Sequence, residues 1–402
     1  MAKKNNSETA VVEETNQESS TTSGDSTQST KKKRPPAREP NNLNVDVGRD
    51  SIKQMIFNLE GKLLEFQKVS SVFCQTEHLK NVEGAFTLGF KNSETKKVET
   101  QYWVVGNKAG DEDKSFRFSD RSDYKETFFP IGLLGGLSSF SCLDSIAYET
   151  GKKTLRKNLK LRLYVLSLAD KNKLANKLKP YKWIECDGVR YYLTFTSAVY
   201  GDREGFGGAI YGFRTVGRSS HGYVTVGDLG GGTYNVARYR LNGFRPKESF
   251  ADMNGGGGII SLAKELMDVA RNSDLVEAMK LPQAVNVIKK ASWEDEQIKA
   301  QLMDGTDCSI ELGKAITNWS ANAPVSAALT KMLEFGQTDK LVLVGGGMEI
   351  PLIREFVKKR LLEGGLPSDN LLIPDNPSKT SLLEVQNLDS KFEKVKLNGR
   401  SN

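Results

Sequence analysis

The stretch VTVGDLGGGTYNVARY, residues 224 to 239, sets Asp228 and three consecutive glycines, Gly230, Gly231 and Gly232, between two segments that alternate apolar with polar residues. Alternation of this kind is the signature of a half-buried strand, so the glycines fall where two strands must be joined. Residues without Cβ let the backbone take positive φ and bring its N–H groups within reach of an anion. Such a hairpin can cradle phosphates, with Gly230 to Gly232 and Thr233 as the expected contacts. Asp228, at the strand's end, would face those phosphates and be repelled unless a divalent cation lay between. Mg²⁺ keeps several of its waters and is held by carboxylates, so an aspartate beside a phosphate loop is chemically sensible. The plainer reading is a tight hairpin with a surface aspartate.

Two other turns ask for the same chemistry. In VDVGRDSIK, residues 45 to 53, Asp46 ends one strand pattern, Gly48 makes the bend and Lys53 lies early in the next, where its ammonium can reach a phosphate. Near the end of the chain, Gly345, Gly346 and Gly347 follow the apolar run KLVLV and open a helical pattern at Met348. A glycine turn at a helix start lets a flat ring or a phosphate approach the backbone closely. Each turn also has a plain reading as a close βα or ββ connection.

The chain of 402 residues, 38% hydrophobic with only 12 prolines, is long enough for two packed cores or for one large domain split by a cleft. Its net charge of +7 arises from 57 basic residues interleaved with 50 acidic ones, the pattern of a solvated surface rather than of a nucleic-acid-binding face. The exception is the start. Residues 5 to 30 carry only acidic charges amid Ser, Thr, Asn and Gln, followed by KKKRPPAR at 31 to 38, which predicts a disordered polar tail over residues 1–42 with a basic patch. Cys74, Cys142, Cys186 and Cys308 show no CxxC spacing and are far from a zinc pattern with His78 and His221. They read as reduced thiols, and with an N-terminus that turns polar too early for a signal peptide the expected compartment is the cytoplasm. The window FFPIGLLGGLSSFSCL from Phe128 is too short and too rich in Gly and Ser to span a bilayer, so no transmembrane segment is expected and a buried helix is.

From Leu43 the pattern gives a meander of three strands, with bends at Gly48 and at Glu60-Gly61-Lys62. Further strands are read at GAFTLGF, TQYWVVG and LKLRLYVLSL. A helix is read after the loop DREGFGGAIYGF. In GGIISLAKELMDVARN the apolar residues Ile259, Leu262, Ala263, Leu266, Val269 and Ala270 recur at helical spacing.

The three glycine turns, in this order and separated by whole structural units, resemble the actin, hexokinase and heat-shock chaperone ATPase superfamily: VDVGRDSIK its first phosphate loop, VGDLGGGTYNV its second, LVLVGGGMEIPLI its adenosine motif. YWVVGNKA at 102 to 109 and REGFGGAIYGF at 203 to 213 are similar to the bacterial actin-like plasmid-partition branch of the ParM/StbA type, over roughly residues 43 to 390. The resemblance implies an α/β fold of two actin-like domains, each a mixed β-sheet flanked by helices around a nucleotide cleft: domain I over 43–218, domain II over 219–378, and a return to domain I over 379–402. It implies ATP and Mg²⁺ as cofactors. Asp46 and Asp228 would hold the metal mainly through water, Gly48, Lys53, Gly230, Gly231, Gly232 and Thr233 the phosphates, and Gly345, Gly346, Gly347 and Met348 the nucleoside. Glu204 matches the acidic residue the family uses near the attacking water, so Glu204, Asp228 and Asp46 are the expected catalytic set. MNGGGG, 253 to 258, is a further segment that would approach the nucleoside or cap a helix.

The function so implied is an ATPase that assembles into dynamic head-to-tail filaments of itself, for plasmid or DNA segregation through a DNA-binding adaptor protein and without direct sequence-specific DNA binding. A small-molecule kinase of the superfamily and a non-hydrolysing cytoskeletal scaffold are the alternatives. The sequence departs from the family after IPDNP, where SKTSLLEVQNLDS replaces the small residues of a second interdomain crossing. That substitution argues against close packing of the hinge.

Overall fold

The computed structural model describes residues 38–398, apart from 122, 152–153, 168–169, 197–199, 218–221, 243–244, 274 and 276–278. The expectations for the polar tail up to residue 37, and for His221, lie outside the described residues.

The first lobe is built on one sheet. Its strands are β1 (Asn41–Val47), β2 (Ser51–Phe57), β3 (Leu63–Ser70), β4 (Val72–Thr76), β5 (Ala85–Lys91), β6 (Val98–Val105), β7 (Phe116–Arg117), β8 (Tyr148–Thr150), β9 (Arg156–Leu166), β10 (Tyr181–Cys186), β11 (Val189–Phe195) and β12 (Tyr200–Asp202). They lie in the order β3-β2-β1-β9-β11-β10-β5-β6-β4-β7, with β8 and β12 also paired to β9. Four helices belong to this lobe: α1 (Tyr124–Thr127), α2 (Phe129–Ser138), α3 (Leu143–Ile146) and α4 (Lys171–Leu178). The apolar window predicted to be a buried helix is α2, and Phe129 through Leu137 are all buried. A helix that is apolar all round has to lie in a core. Here it packs on β1, β2 and β6.

A helix between the lobes, α5 (Phe206–Val216), leads to the second sheet. Its strands are β13 (Tyr223–Leu229), β14 (Thr233–Asn242) and β15 (Arg245–Gly255), a separate hairpin of β16 (Ser292–Glu294) and β17 (Gln297–Lys299), then β18 (Lys340–Val344) and β19 (Leu371–Leu372). The sheet order is β15-β14-β13-β18-β19. Around it lie α6 (Ile259–Asn272), α7 (Leu281–Lys290), α8 (Ser309–Ala321), α9 (Ala323–Gly336) and α10 (Pro351–Glu363). The helical spacing predicted at 259 to 270 is that of α6, which buries Ile259, Leu262, Ala263, Leu266 and Ala270. The last helix is α11 (Pro377–Asn398).

The two lobes repeat one plan. In each, a meander of three antiparallel strands is extended from its first strand by two parallel ones: β3-β2-β1-β9-β12 in the first lobe, β15-β14-β13-β18-β19 in the second. The repeat holds to the residue. Asp46 lies opposite Lys53 on one side and Leu166 on the other, and Asp228 lies opposite Asn235 and Val344. Both turns close with the same bond, Gly48 N–H to the Ser51 carbonyl at 3.0 Å and Gly230 N–H to the Thr233 carbonyl at 2.9 Å.

Between the sheets, Met55, Phe57 and Tyr164 of the first lobe share an apolar cluster with Val224, Val226 and Val342 of the second, through Phe206 and Ala209 of α5 and Leu382 and Val385 of α11. The strand β1 is tied to α11 by Asn44 Nδ2, which donates to the Leu382 carbonyl at 2.9 Å. The loosely packed hinge expected from SKTSLLEVQNLDS is not found. A Cβ on Gly207 would lie 2.2 Å from the Ser381 carbonyl oxygen and 2.3 Å from its Cα, so α5 and α11 cross with backbones in contact. One glycine on α5 suffices for this approach, so the small residues expected along the other helix are not needed.

Candidate functional site

The repeat places its two turns on facing sides of a cleft of about 340 Å³. Asp46, Gly48 and Lys53 line it from the first lobe, Asp228, Gly230, Gly231, Gly232 and Thr233 from the second, and Glu204, Gly346 and Gly347 complete it. The turns nearly touch: a Cβ on Gly231 would stand 2.4 Å from Asp50 Cβ, and one on Gly232 3.0 Å from Arg49 Cδ.

The second turn is held from behind. Ile259 N–H and Ile260 N–H, the first two amides of α6, donate to the Gly230 and Gly231 carbonyls at 3.2 and 2.8 Å, and Gly256 N–H donates to Gly232 at 3.1 Å. With the carbonyls occupied, the turn can present its other face, and among the described residues the amides of Gly231 and Gly232 have no protein acceptor. This is also the role of the GGGG segment. It starts α6, with Gly258 as the residue before the first turn, and its neighbours steady the loop.

Charge of both signs is crowded into the cleft. Lys53 Nζ donates to Asp46 Oδ2 at 3.2 Å. Burial works against its charge, but Asp46, Asp228 and Glu349 outweigh that cost and hold the ammonium pKa above its ordinary value. Burial pushes the Asp228 carboxyl up to about 7; Lys53 opposes the shift, and Asp46 and Glu204 add to it. Five carboxylates line the cleft, Asp46, Asp50, Glu126, Glu204 and Asp228, against five cations, Arg49, Lys53, Lys68, Lys125 and Lys289. The charge of Asp46 helps to raise Asp228, and a divalent cation between these two strand-end carboxylates would relieve that repulsion. Among the described residues no group of three or more His, Cys, Asp or Glu side chains could ligate a metal directly. Asp46 and Asp228 could hold such a cation through its waters.

Glu204 stands just before the first turn of α5. Its Oε1 accepts from Lys125 Nζ of α1, and its Oε2 lies 3.5 Å from Asn235 Nδ2. Asn235 also donates to Thr233 Oγ1 at 3.3 Å, and its Oδ1 is buried without a partner among the described residues. Ile259, Ile260, Val285 and Ile350 give the cleft an apolar part of its lining. Lys68 Nζ bridges the lobes to Glu349 Oε2 at 3.2 Å. Ser378 also donates to Glu349. Burial works against the Glu349 charge, but Ser378 and Lys68 hold its carboxyl below the usual range.

Two residues expected at the nucleoside lie elsewhere. Met348 is fully buried in the core of the second lobe, because the turn after Gly347 is a short 3₁₀ segment that directs it inward. Gly345 sits behind the cleft with φ +100°, where a Cβ would fall 2.4 Å from both Asp228 Oδ1 and the Leu229 carbonyl. Only glycine lets this turn pack against the strand that carries Asp228. Conversely, sequence reasoning missed Lys125, Asn235, Arg49, Asp50 and Lys68. Asn235 was recoverable, seven residues after Asp228 as Lys53 is after Asp46. Nothing in the spacing around Lys125 marks it.

No family model and no curated protein matches the chain. Solved structures do. The protein of a 15-stranded ParM filament from Clostridium botulinum superposes with a TM-score of 0.63 at 13% identity, over 88% of this chain and 100% of that one. ParM from Bacillus thuringiensis with AMPPNP gives 0.58 at 12% identity, over 89% and 100%. Ta0583, an archaeal actin homolog, gives 0.55 at 13% identity, over 87% and 99%. At these identities the likeness is one of fold: the chain has an actin-like two-domain architecture.

Proposed function

We propose that the protein binds ATP with Mg²⁺ in this cleft, hydrolyses it, and assembles head-to-tail into filaments whose turnover follows hydrolysis. The observation that carries the reading is the pair of equivalent turns facing each other, each with an aspartate at its strand end. Such a pair can hold a polyphosphate from both lobes at once. The amides of Gly231 and Gly232 and the ammonium group of Lys53 would neutralise and orient the phosphates. Asp46 and Asp228 would hold hydrated Mg²⁺, which when bound shields the phosphate charge. Gly346 and Gly347 of the lining, which carry no side chain, would let a flat base approach the backbone.

Glu204 would position the attacking water and take its proton as the water oxygen bonds to the terminal phosphorus. The bond from that phosphorus to the bridging oxygen breaks, and the electron pair stays on ADP. Assembly is supported by the fold shared with a ParM filament protein. A head-to-tail contact that does not close into a ring propagates as a filament. The role in DNA segregation, through a DNA-binding adaptor, rests on the motif resemblance to the partition branch.

Binding is tested with a fluorescent ATP analogue displaced by unlabelled nucleotide. The reading requires displacement by ATP to need Mg²⁺ and to weaken at least tenfold in Asp228→Asn. Equal displacement with and without Mg²⁺, or no binding at all, would contradict it.

A further inference from the structure

The ion pair between Lys125 and Glu204 is a contact in the cleft that nothing in the sequence hinted at. It is enclosed, with the two side chains only 21% and 14% exposed. A pair this enclosed is much less screened than an exposed one. Its two partners come from distant places, α1 in the first lobe and the entry to α5.

Two features of α1 bear on what the lysine is for. The helix buries no residue of its own, and its position is set by the neighbours of Lys125. Tyr124 packs edge-on against Phe116 and Phe128 at 5.4 and 5.2 Å, and Lys177 donates to the Glu126 carbonyl at 3.0 Å. Lys125 itself is not needed to hold the helix. Its side chain is delivered into the cleft by a scaffold anchored on either side.

Glu204 needs such a partner. It shares the cleft with Asp46 and Asp228, and a bound triphosphate would add more negative charge. A carboxylate left alone there is driven to swing away. Asn235 reaches only one of its oxygens, at 3.5 Å. Building on the hydrolytic reading above, we propose that Lys125 is a positioning residue: it pins Oε1 of Glu204 so that Oε2 faces the water that attacks the terminal phosphate. Lys125 therefore acts on the chemical step and not on nucleotide affinity.

The test is a set of variants, Lys125→Met, Lys125→Arg, Glu204→Gln and the double variant Lys125→Met/Glu204→Gln. Each is measured for phosphate release at saturating Mg-ATP, for Kd with the fluorescent analogue and for thermal melting. The expected result is a loss of about 10- to 100-fold in kcat for Lys125→Met, less than the roughly 10²- to 10⁴-fold that a positioned acid or base contributes, because Glu204 itself is kept. Kd should stay within about twofold and melting unchanged, with much of the rate restored in Lys125→Arg. The double variant should be no slower than Glu204→Gln alone, because the two residues act as one unit.

A parental kcat in Lys125→Met, or a weakened Kd with unchanged kcat, would overturn the assignment, the latter making Lys125 a phosphate ligand. So would additive losses in the double variant. If Lys125→Met fails to fold, Lys125→Arg and Lys125→Gln carry the same comparison. A parental rate in Glu204→Gln would instead remove Glu204 from hydrolysis and the proposal with it, a result distinct from failure of Lys125 alone.

Discussion

The two lobes share strand order, register and turn hydrogen bond, yet they furnish their turns differently. The first lobe's turn reads Gly48-Arg49-Asp50-Ser51 and is followed by Lys53; the second reads Gly230-Gly231-Gly232-Thr233 and is followed by Asn235. One half supplies a cation and the other bare amides, while the aspartate is kept in both. Two copies of either turn would serve less well. Two lysine-bearing turns would fill the cleft with side chains, and two glycine turns would lack the ammonium of Lys53 beside the phosphates. A repeated scaffold with unequal contents lets one ligand be held from two sides by complementary chemistry.

The comparison is broken most severely at the aspartates. Asp228→Ala should abolish Mg-dependent turnover, a loss of at least about 10²-fold in phosphate release, an effect of the size typical for removing charge stabilisation at a reacting centre. Asp46→Ala, at the matching position, should also lose turnover and in addition strand Lys53 without its 3.2 Å partner. If one of the two keeps its rate, the lobes are not equivalent in metal binding.

Asp228 can also be probed without nucleotide. In the folded protein its carboxyl keeps its proton up to about 7, against 3.8 for the ordinary group. Between those values the folded state binds more protons than the unfolded chain, so stability falls as pH rises from about 4 to 7 and levels off above. The contribution is at most about 4 kcal/mol, since part of Asp228 opens onto the cleft. Chemical denaturation across that range should show this slope in the parent and lose it in Asp228→Asn. A parent whose stability rose instead through this window would mean that Asp228 is not the group that controls it.

The smallest effect concerns the crossing of α5 and α11 between the lobes. Gly207→Ala would drive a methyl into the Ser381 backbone and should cost about 1–3 kcal/mol, the usual range for overpacking, read as a lower denaturation midpoint. Gly217→Ala meets no atom within 4 Å but sits at φ +81°; its cost is backbone strain alone, and it controls for glycine loss without a clash.

Much of this was legible in the sequence because it depends on local pattern. The glycine turns, the aspartates at their strand ends and the amphipathic α6 follow from alternation, spacing and residues without Cβ. The apolar α2 was equally plain. What was hidden depends on contacts between distant segments. The internal repeat is masked because the equivalent turns carry different side chains, Lys53 against Asn235 and Arg49-Asp50 against Gly231-Gly232. Lys125 comes from a helix of four residues, too short for any periodicity. The tightness of the hinge rests on Gly207 meeting one residue, Ser381, across nearly half the chain, and the composition of α11 by itself pointed the other way.

The central claim, that the facing turns drive an ATP-dependent assembly cycle, is tested most directly by following light scattering and phosphate release in the same sample with Mg-ATP, Mg-ADP and no nucleotide. The account predicts a rise in scattering with Mg-ATP alone, decaying as phosphate appears. Phosphate release with no rise in scattering would contradict assembly and point to a soluble kinase or ATPase, and stable scattering without phosphate would contradict hydrolysis and point to a scaffold.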